Sequence, residues 1–160
     1  MSLLSKIAKP DDRPVIATIT GDAGVGKTTL AATFPKPIFI RVEDGLQSVN
    51  EDIRPDAFPI IETVNDVWDQ LKTLINEEHD YKTVVIDSIT QLEALFGQHI
   101  VESDMKKPKS LAQAMGGYGA GYVAVGALHG RIRKAAQMLN NKGMNVIFIA
   151  HSDVSTIELP

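Results

Sequence analysis

The sequence contains no cysteine, a single tryptophan, few other aromatic residues and no long apolar run. The absence of cysteine excludes disulfide bonds and thiolate metal sites, and it is typical of proteins in a reducing compartment. No apolar stretch approaches the roughly 20 residues that a membrane-spanning helix needs. The first residues also lack the apolar core of a secretory signal peptide. We therefore expect a cytoplasmic protein.

The sequence also has little excess charge of either sign. Basic and acidic residues are mixed along the chain and leave a net charge of −4, so no strongly basic character indicates nucleic-acid binding. Any contact with DNA must depend on a local patch. With 160 residues and 44% hydrophobic content, the chain is large enough for one domain with a substantial core.

A glycine-rich segment carries the strongest functional signal. Residues 21–28 read G-D-A-G-V-G-K-T and match the P-loop pattern G-x-x-x-x-G-K-[ST] in full. The β-branched run before it predicts a strand over 15–20, and residues 29–34 predict a helix that stops before Pro35. This order places backbone N–H groups and a helix N-terminus around phosphate oxygens. We conclude that the chain binds a nucleoside triphosphate.

The P-loop pattern assigns roles to individual residues. Lys27 is predicted to reach the β- and γ-phosphates, and the Thr28 hydroxyl is predicted to ligate Mg²⁺. The predicted nucleotide-binding residues are Gly21, Asp22, Ala23, Gly24, Val25, Gly26, Lys27, Thr28 and Thr29.

Strand and helix signals alternate along the chain, which predicts an α/β fold of the three-layer P-loop NTPase type, with a mostly parallel sheet flanked by helices. The further predicted strands are 37–42, 58–61, 83–88 and 144–150. Apolar residues at helical spacing predict helices over 64–75, 89–100 and 122–139. The intervening segment, 103–117, is polar, basic and rich in glycine, and it predicts a mobile loop.

The ends of the chain differ from its middle. Residues 1–13 are polar and predict an N-terminal arm, so that the core spans 14–160. Residues 156–160 read as the opening of another strand. Because doubly wound sheets rarely stop at an unpaired edge, this suggests a core truncated at its C-terminal end.

Three polar residues follow predicted strands. Asp87 ends the apolar strand that begins at Thr83, which is the form of a Walker B segment whose acid holds Mg²⁺. Glu43 ends the second strand and is a candidate base for the attacking water, although Asp44 next to it can serve instead. His151 follows the last strand and is a candidate sensor of the γ-phosphate. We expect all three at the carboxyl edge of the sheet.

These motifs resemble the RecA-like ATPase core, in the short form of phage-encoded nucleotide-binding and single-strand-annealing recombination proteins. The resemblance spans about 14–154 and is strongest over residues 38–43, 84–88 and 131–151. It implies catalytic roles for Lys27, Glu43 and His151, with Mg²⁺ held by Thr28 and Asp87. The sensor of that family is commonly Gln, and here it is His.

The resemblance also implies partners. It suggests an ATP-dependent enzyme of DNA recombination that binds single-stranded DNA and works with a single-strand-binding protein in the cytoplasm of a bacterial host. It further implies a homo-oligomer, a ring or filament, with the ATP site near a subunit interface and a basic residue supplied by the neighbour. Arg131, Arg133 and Lys134 are candidates for that residue, and a solvated helix face is the alternative explanation.

Two alternatives remain at the level of sequence. A P-loop kinase or phosphotransferase that acts on a small acceptor has the same fold, but its lid should carry arginines, and residues 103–117 offer only lysines. A DNA-binding module without enzymatic activity would stack bases on aromatic side chains beside basic residues. Tyr118 and Tyr122, after Lys106, Lys107 and Lys109, form such a cluster, although we expect these tyrosines to be core or hinge residues.

Overall fold

The computed structural model describes Leu4, Ile7 and residues 13–152. A parallel five-stranded sheet lies at its centre, with the strands in the order β1-β5-β4-β2-β3. The strands are β1 (Ile16–Gly21), β2 (Pro37–Arg41), β3 (Asp56–Ala57), β4 (Thr83–Asp87) and β5 (Asn145–His151). The α/β architecture predicted from the sequence is confirmed.

Four helices flank the sheet. They are α1 (Lys27–Ala32), α2 (Val64–Asn76), α3 (Ile89–Ser103) and α4 (Ala120–Asn141). Short 3₁₀ turns occur at Leu46–Ser48, Glu51–Ile53 and Ala114–Gly116. Within the described part of the chain, no helix is both long enough and apolar enough to cross a membrane.

The alternation of side chains along the strands divides the core between the two faces of the sheet. Ile38 and Ile40 of β2 pack in the larger cluster, which α2, α3 and α4 cover. Phe39, between them, points to the other face and packs in a smaller cluster with Ala31 and Ala32 of α1. Every residue of the central strand β4 is buried, as expected for a parallel strand that is covered on both faces.

Two predicted elements differ from the structure. The short strand predicted at 58–61 lies instead at Asp56–Ala57, where β3 pairs with Ile38 and Phe39. The chain from Phe58 to Ile61 still follows β2, because the N–H groups of these two residues donate to carbonyls of Phe39 and Arg41. Pro59 has no N–H group to donate to a ladder, so the regular strand ends before it.

The segment predicted to be a mobile loop packs against the helices on both sides of it. The Asp104 carboxylate accepts hydrogen bonds from the backbone N–H groups of Lys106 (2.9 Å) and Met115 (2.6 Å), and these bonds hold its pKa below the ordinary value. Ala114 is fully buried. A Cβ atom on Gly121 would lie 2.2 Å from the carbonyl oxygen of Leu111, so the close approach of the loop to α4 requires glycine there. Residues 104–119 are therefore a docked segment.

Some predictions fall outside the described residues. The predicted N-terminal arm over 1–13 is described only at Leu4, Ile7 and Arg13. The predicted strand at 156–160 lies beyond residue 152, the last described residue. Both stay predictions.

Candidate nucleotide-binding site

The P-loop joins β1 to α1 in the order predicted from the sequence. Gly24 and Gly26 have φ values of +77° and +93°, a region that other residues rarely occupy, and Gly26 is the N-cap of α1. Because the helix follows this glycine directly, it begins at Lys27, two residues before the predicted start. The backbone thereby takes the curved form that can surround phosphate oxygens.

Lys27 lies along this loop and is almost fully buried, with 7% of its surface exposed. Its ammonium group donates hydrogen bonds to the carbonyl oxygens of Gly21 (2.8 Å) and Asp22 (2.7 Å). These contacts hold the positive charge over the loop. The Lys27 ammonium therefore lies over the loop that is predicted to bind phosphate.

Thr28 and Asp87 are in direct contact although 59 positions separate them in the sequence. The Thr28 hydroxyl donates to Oδ2 of Asp87 at 2.9 Å. Burial raises the pKa of Asp87 above its ordinary value and nearby Glu43 adds to the rise, whereas the Thr28 hydrogen bond, His151 and Lys27 oppose it. The two oxygen ligands predicted for Mg²⁺ are therefore neighbours.

The surroundings of this pair fit a small divalent cation. A hydroxyl oxygen and a carboxylate oxygen are the hard ligands that Mg²⁺ prefers. A Cβ atom on Gly45 would lie 3.8 Å from Oδ2 of Asp87 and 3.9 Å from Oγ1 of Thr28, so the glycine leaves space beside both oxygens. Donor atoms of Glu43, Asp87 and His151 also lie within 4.8 Å of one another, so this side of the site can coordinate a cation as well.

Glu43 and His151 form the third part of the site. Nε2 of His151 lies 2.9 Å from Oε1 of Glu43, and both side chains are about one-third exposed, at 31% and 38%. The Ser88 hydroxyl donates to the same Glu43 oxygen at 3.4 Å. The backbone N–H of His151 donates to the Thr90 hydroxyl at 2.9 Å. The end of β5 is thereby tied to the start of α3, and the predicted base and sensor contact each other.

Asp44, the alternative base, is held in other contacts. Its carboxylate accepts hydrogen bonds from Arg41 at 3.0 Å and from Gln47 at 2.7 Å. Glu43 lines the cavity beside the P-loop, whereas Asp44 is not among its lining residues. The geometry therefore favours Glu43 over Asp44.

The cavity between these groups has a volume of about 360 Å³. It brings together most of the predicted site residues, namely Ala23, Gly24, Gly26, Lys27, Thr28, Thr29, Glu43, Asp87 and His151. Gly21, Asp22 and Val25 are not part of its lining. The Asp22 carboxylate instead accepts a hydrogen bond from Ser152, and Val25 is 64% exposed.

Several contributors have no motif that would identify them. Thr90 and Ser152 position His151 and Asp22 through single hydrogen bonds, which no spacing rule predicts. Gly45 follows Glu43 and Asp44 in a turn-like sequence, but its role in leaving space beside Asp87 depends on the fold. Ser88 is visible in the sequence as the residue after the Walker B acid, and the peptide bond between the two is cis.

Comparison with known proteins agrees with this geometry. A family model described as an AAA domain matches residues 13–160, and no curated protein matches the chain. The AAA domain is a nucleotide-binding ATPase domain of the P-loop class, which confirms the predicted class of the protein. The family description names neither DNA nor recombination, so these stay predictions. Because the match covers nearly the whole chain, the chain belongs to the AAA domain family of P-loop NTPases.

Proposed function

We propose that the chain is a Mg²⁺-dependent ATPase in which Glu43 activates the attacking water. One observation carries this proposal. The Thr28–Asp87 hydrogen bond and the Glu43–His151 pair lie at the same P-loop cavity, although they come from the ends of β2, β4 and β5 and from the start of α1. A phosphate cradle, a metal-ligand pair and a candidate base in one cavity are the parts that ATP hydrolysis needs.

The residues of the cradle position the triphosphate. Loop N–H groups and the Lys27 ammonium bind the phosphate oxygens and stabilise the negative charge that builds on them in the transition state. Thr28 and Asp87 would hold Mg²⁺, which when bound neutralises charge on the β- and γ-phosphates. The space beside Gly45 would leave room for the ion next to both oxygens.

Glu43 supplies the base. Among the described residues both hydrogen bonds of its carboxylate go to Oε1, so Oε2 is available to a water. Glu43 takes a proton from that water, whose oxygen forms a bond to the γ-phosphorus. The bond from the γ-phosphorus to the bridging oxygen breaks, and ADP leaves with the electron pair. We expect His151, which contacts the base, to sense the γ-phosphate.

The test is phosphate release from ATP in the presence of Mg²⁺. Replacing Lys27 by Ala should lower kcat about 10²- to 10³-fold, the usual loss for one transition-state donor. Lys82→Ala is the matched control, because this exposed lysine lies at the opposite edge of the sheet. Equal activity of the Lys27 variant and the native chain would refute the proposal.

We further propose that single-stranded DNA regulates this ATPase in recombination or strand annealing. The support is the exposure of the aromatic cluster, because Tyr118 is fully exposed and Tyr122 is 58% exposed. We expected these tyrosines to be core or hinge residues, and their exposure shows that neither lies in the core. Both follow Lys106, Lys107 and Lys109 in the sequence, Tyr118 in the docked segment and Tyr122 in the first turn of α4. Single strands stack on exposed aromatic rings that have basic residues nearby.

The DNA proposal predicts faster ATP turnover with single-stranded DNA. Tyr118→Ala should remove the stimulation and leave the basal rate unchanged, whereas Tyr81→Phe, far from this segment in the sequence, should retain it. If ATP turnover does not change with DNA but rises with a small hydroxylated acceptor, the result would favour the kinase alternative. The predicted homo-oligomer is tested in the same samples by mass measurement with and without ATP.

A further inference from the structure

A groove on the outer side of α2 and α4 has no role in the proposed ATPase. It has a volume of about 220 Å³, and its floor includes Trp68, Leu71 and Ala135. Its rim carries Lys72, Arg131 and Lys134. None of these residues lines the P-loop cavity.

The floor of the groove is apolar. Trp68 is 8% exposed and stacks on Phe96 with the ring centroids 5.9 Å apart. Met138, at one end of the groove, is 51% exposed and offers a flexible apolar contact. The groove is smaller than the about 300–1,000 Å³ of small-molecule sites. Its volume suits one large apolar side chain.

The rim of the groove is basic. The guanidinium of Arg131 lies over the Trp68 ring at 3.9 Å from the centroid, which is a cation–π contact. Lys72 pairs with Asp69 at 3.5 Å on an exposed surface, where such pairs are weak. Among residues 13–152, Arg131 and Lys134 have no ion pair.

The charge of α4 contrasts with that of the whole chain. This helix of 22 residues contains two arginines and one lysine but neither Asp nor Glu, in a protein whose net charge is −4. A basic rim around an apolar floor complements a segment that carries negative charge around an apolar anchor. Stacked nucleic-acid bases fit less well, because Arg131 covers the face of the only aromatic ring on the floor that the structure describes.

We propose that this groove binds an acidic peptide segment of a partner protein, with one large apolar side chain seated against Ile75, Ala135 and Met138, beside Trp68. Aspartate and glutamate residues flanking that side chain contact Arg131 and Lys134. The inference is independent of the proposed function, because it concerns a different face of the molecule.

Trp68 is the only tryptophan of the chain, so its fluorescence reports on the groove directly. The probe is a displayed peptide library in which one Leu or Phe is flanked by Asp and Glu, beside a matched library with Lys and Arg in their place. We expect enrichment from the acidic library alone. The enriched peptides should change the fluorescence emission of Trp68. Added salt should weaken their binding, because the interacting charges are near the surface.

Matched variants distinguish binding at the groove from a general effect of the charge of the protein. Lys134→Glu should lower the affinity for the enriched peptides about tenfold or more, because it places a negative charge at the rim, opposite the negative charges of the peptide. Lys134→Arg, which keeps the charge, should bind normally. Arg133→Glu makes the same charge change on the same helix but at a residue that does not line the groove, and it should also bind normally. Circular dichroism checks that each variant is folded.

Several results would overturn the proposal. They are enrichment of neither library, enrichment of the basic library, equal losses in Lys134→Glu and Arg133→Glu, and a Trp68 response to single-stranded oligonucleotide that Lys134→Glu abolishes. A Trp68 response that appears on concentrating the chain alone would assign the groove to a second copy instead.

Discussion

Asp87 ends β4 with 4% of its surface exposed, and this burial disfavours the charge that a metal ligand needs. The carboxyl group nevertheless contacts the Thr28 hydroxyl and lies beside the space at Gly45. Groups that destabilise the free protein are often the ones that bind its ligand, because the ligand supplies the missing compensation. At this position, the charge that the proposed activity needs therefore lowers the stability of the free protein.

The Asp87→Asn variant should be more stable than the native chain and much less active. The raised pKa means that the unfolded state loses this proton at a lower pH than the folded state does. The ionised group therefore opposes folding, and the native chain loses stability as pH rises from the ordinary carboxyl range through the raised pKa. Asn removes that loss while its amide oxygen still accepts from Thr28.

Thermal unfolding of the free protein across this pH range measures the effect. The variant should have the higher Tm at neutral pH, and the difference should shrink as pH falls. Phosphate release should fall by about 10- to 100-fold or more, because the side chain proposed to hold Mg²⁺ loses its negative charge. A variant that is less stable than the native chain at every pH would show that burial is not the dominant influence on Asp87.

His151 is expected to act through Glu43. His151→Ala removes the 2.9 Å contact with the carboxylate, and we expect kcat to fall about 10- to 100-fold, the loss typical of a partner that orients a reactive group. ATP affinity should change little. His151→Gln, which restores a donor and matches the side chain common in the RecA-like family, should recover part of the rate.

The control for this prediction is His99→Ala, at an exposed position of α3. Its kcat should equal that of the native chain. If His151→Ala instead weakens ATP binding and leaves kcat unchanged, then His151 is a nucleotide contact and has no influence on the base.

At the scale of elements, the docked segment 104–119 depends on a single glycine of α4. A Cβ atom at Gly121 would lie 2.2 Å from Leu111 O, 3.0 Å from Leu111 Cδ1 and 3.2 Å from the Ala114 side chain. Backbone cannot yield as a flexible side chain does, so the segment must move if this residue changes. Its exposed Tyr118 would move with it.

The Gly121→Ala variant should be destabilised by about 1–3 kcal/mol, the usual cost of overpacking, despite the better helix propensity of alanine. Denaturant unfolding measures this. Gly126→Ala is the matched control on the same helix, because a Cβ atom there would contact nothing within 4 Å, and it should be neutral or stabilising. Equal stabilisation of both variants would mean that the segment is not packed on α4.

The sequence predicted most elements because their signals are local. The buried run of β4 and the helical stripe of α2 came within one residue of the observed bounds. The start of α1 was predicted too late, because the backbone at Gly26 can cap a helix without a polar side chain. The docking of 104–119 was not predictable, because it depends on contacts between Asp104, Leu111 and Gly121 that have no periodic pattern.

The site was predicted to a similar degree. The P-loop was identified by its pattern, and Asp87, Glu43 and His151 were proposed from their positions after predicted strands, since parallel strands bring their carboxyl ends to one edge. The contact between Glu43 and His151 and the hydrogen bond from Arg41 to Asp44 are side-chain contacts, which required the structure. The exposure of Tyr118 was missed because an aromatic residue is usually expected in a core.

At the scale of the whole molecule, the order of the strands brings the candidate functional residues from distant parts of the chain to one cavity. β5 lies between β1 and β4, and β4 lies beside β2, so the P-loop, His151, Asp87 and Glu43 follow one another along one edge. An AAA domain supplies this frame for nucleotide binding. Whether this domain hydrolyses ATP as we propose depends on whether Glu43 is the base.

The most direct test is phosphate release from Mg²⁺-ATP by the Glu43→Gln variant, with Asp44→Asn as the neighbouring control. We predict that Glu43→Gln binds ATP as tightly as the native chain and hydrolyses it about 10²- to 10⁴-fold more slowly, the usual contribution of a general base. Asp44→Asn should hydrolyse ATP at close to the native rate. Native-rate hydrolysis by Glu43→Gln would contradict the account.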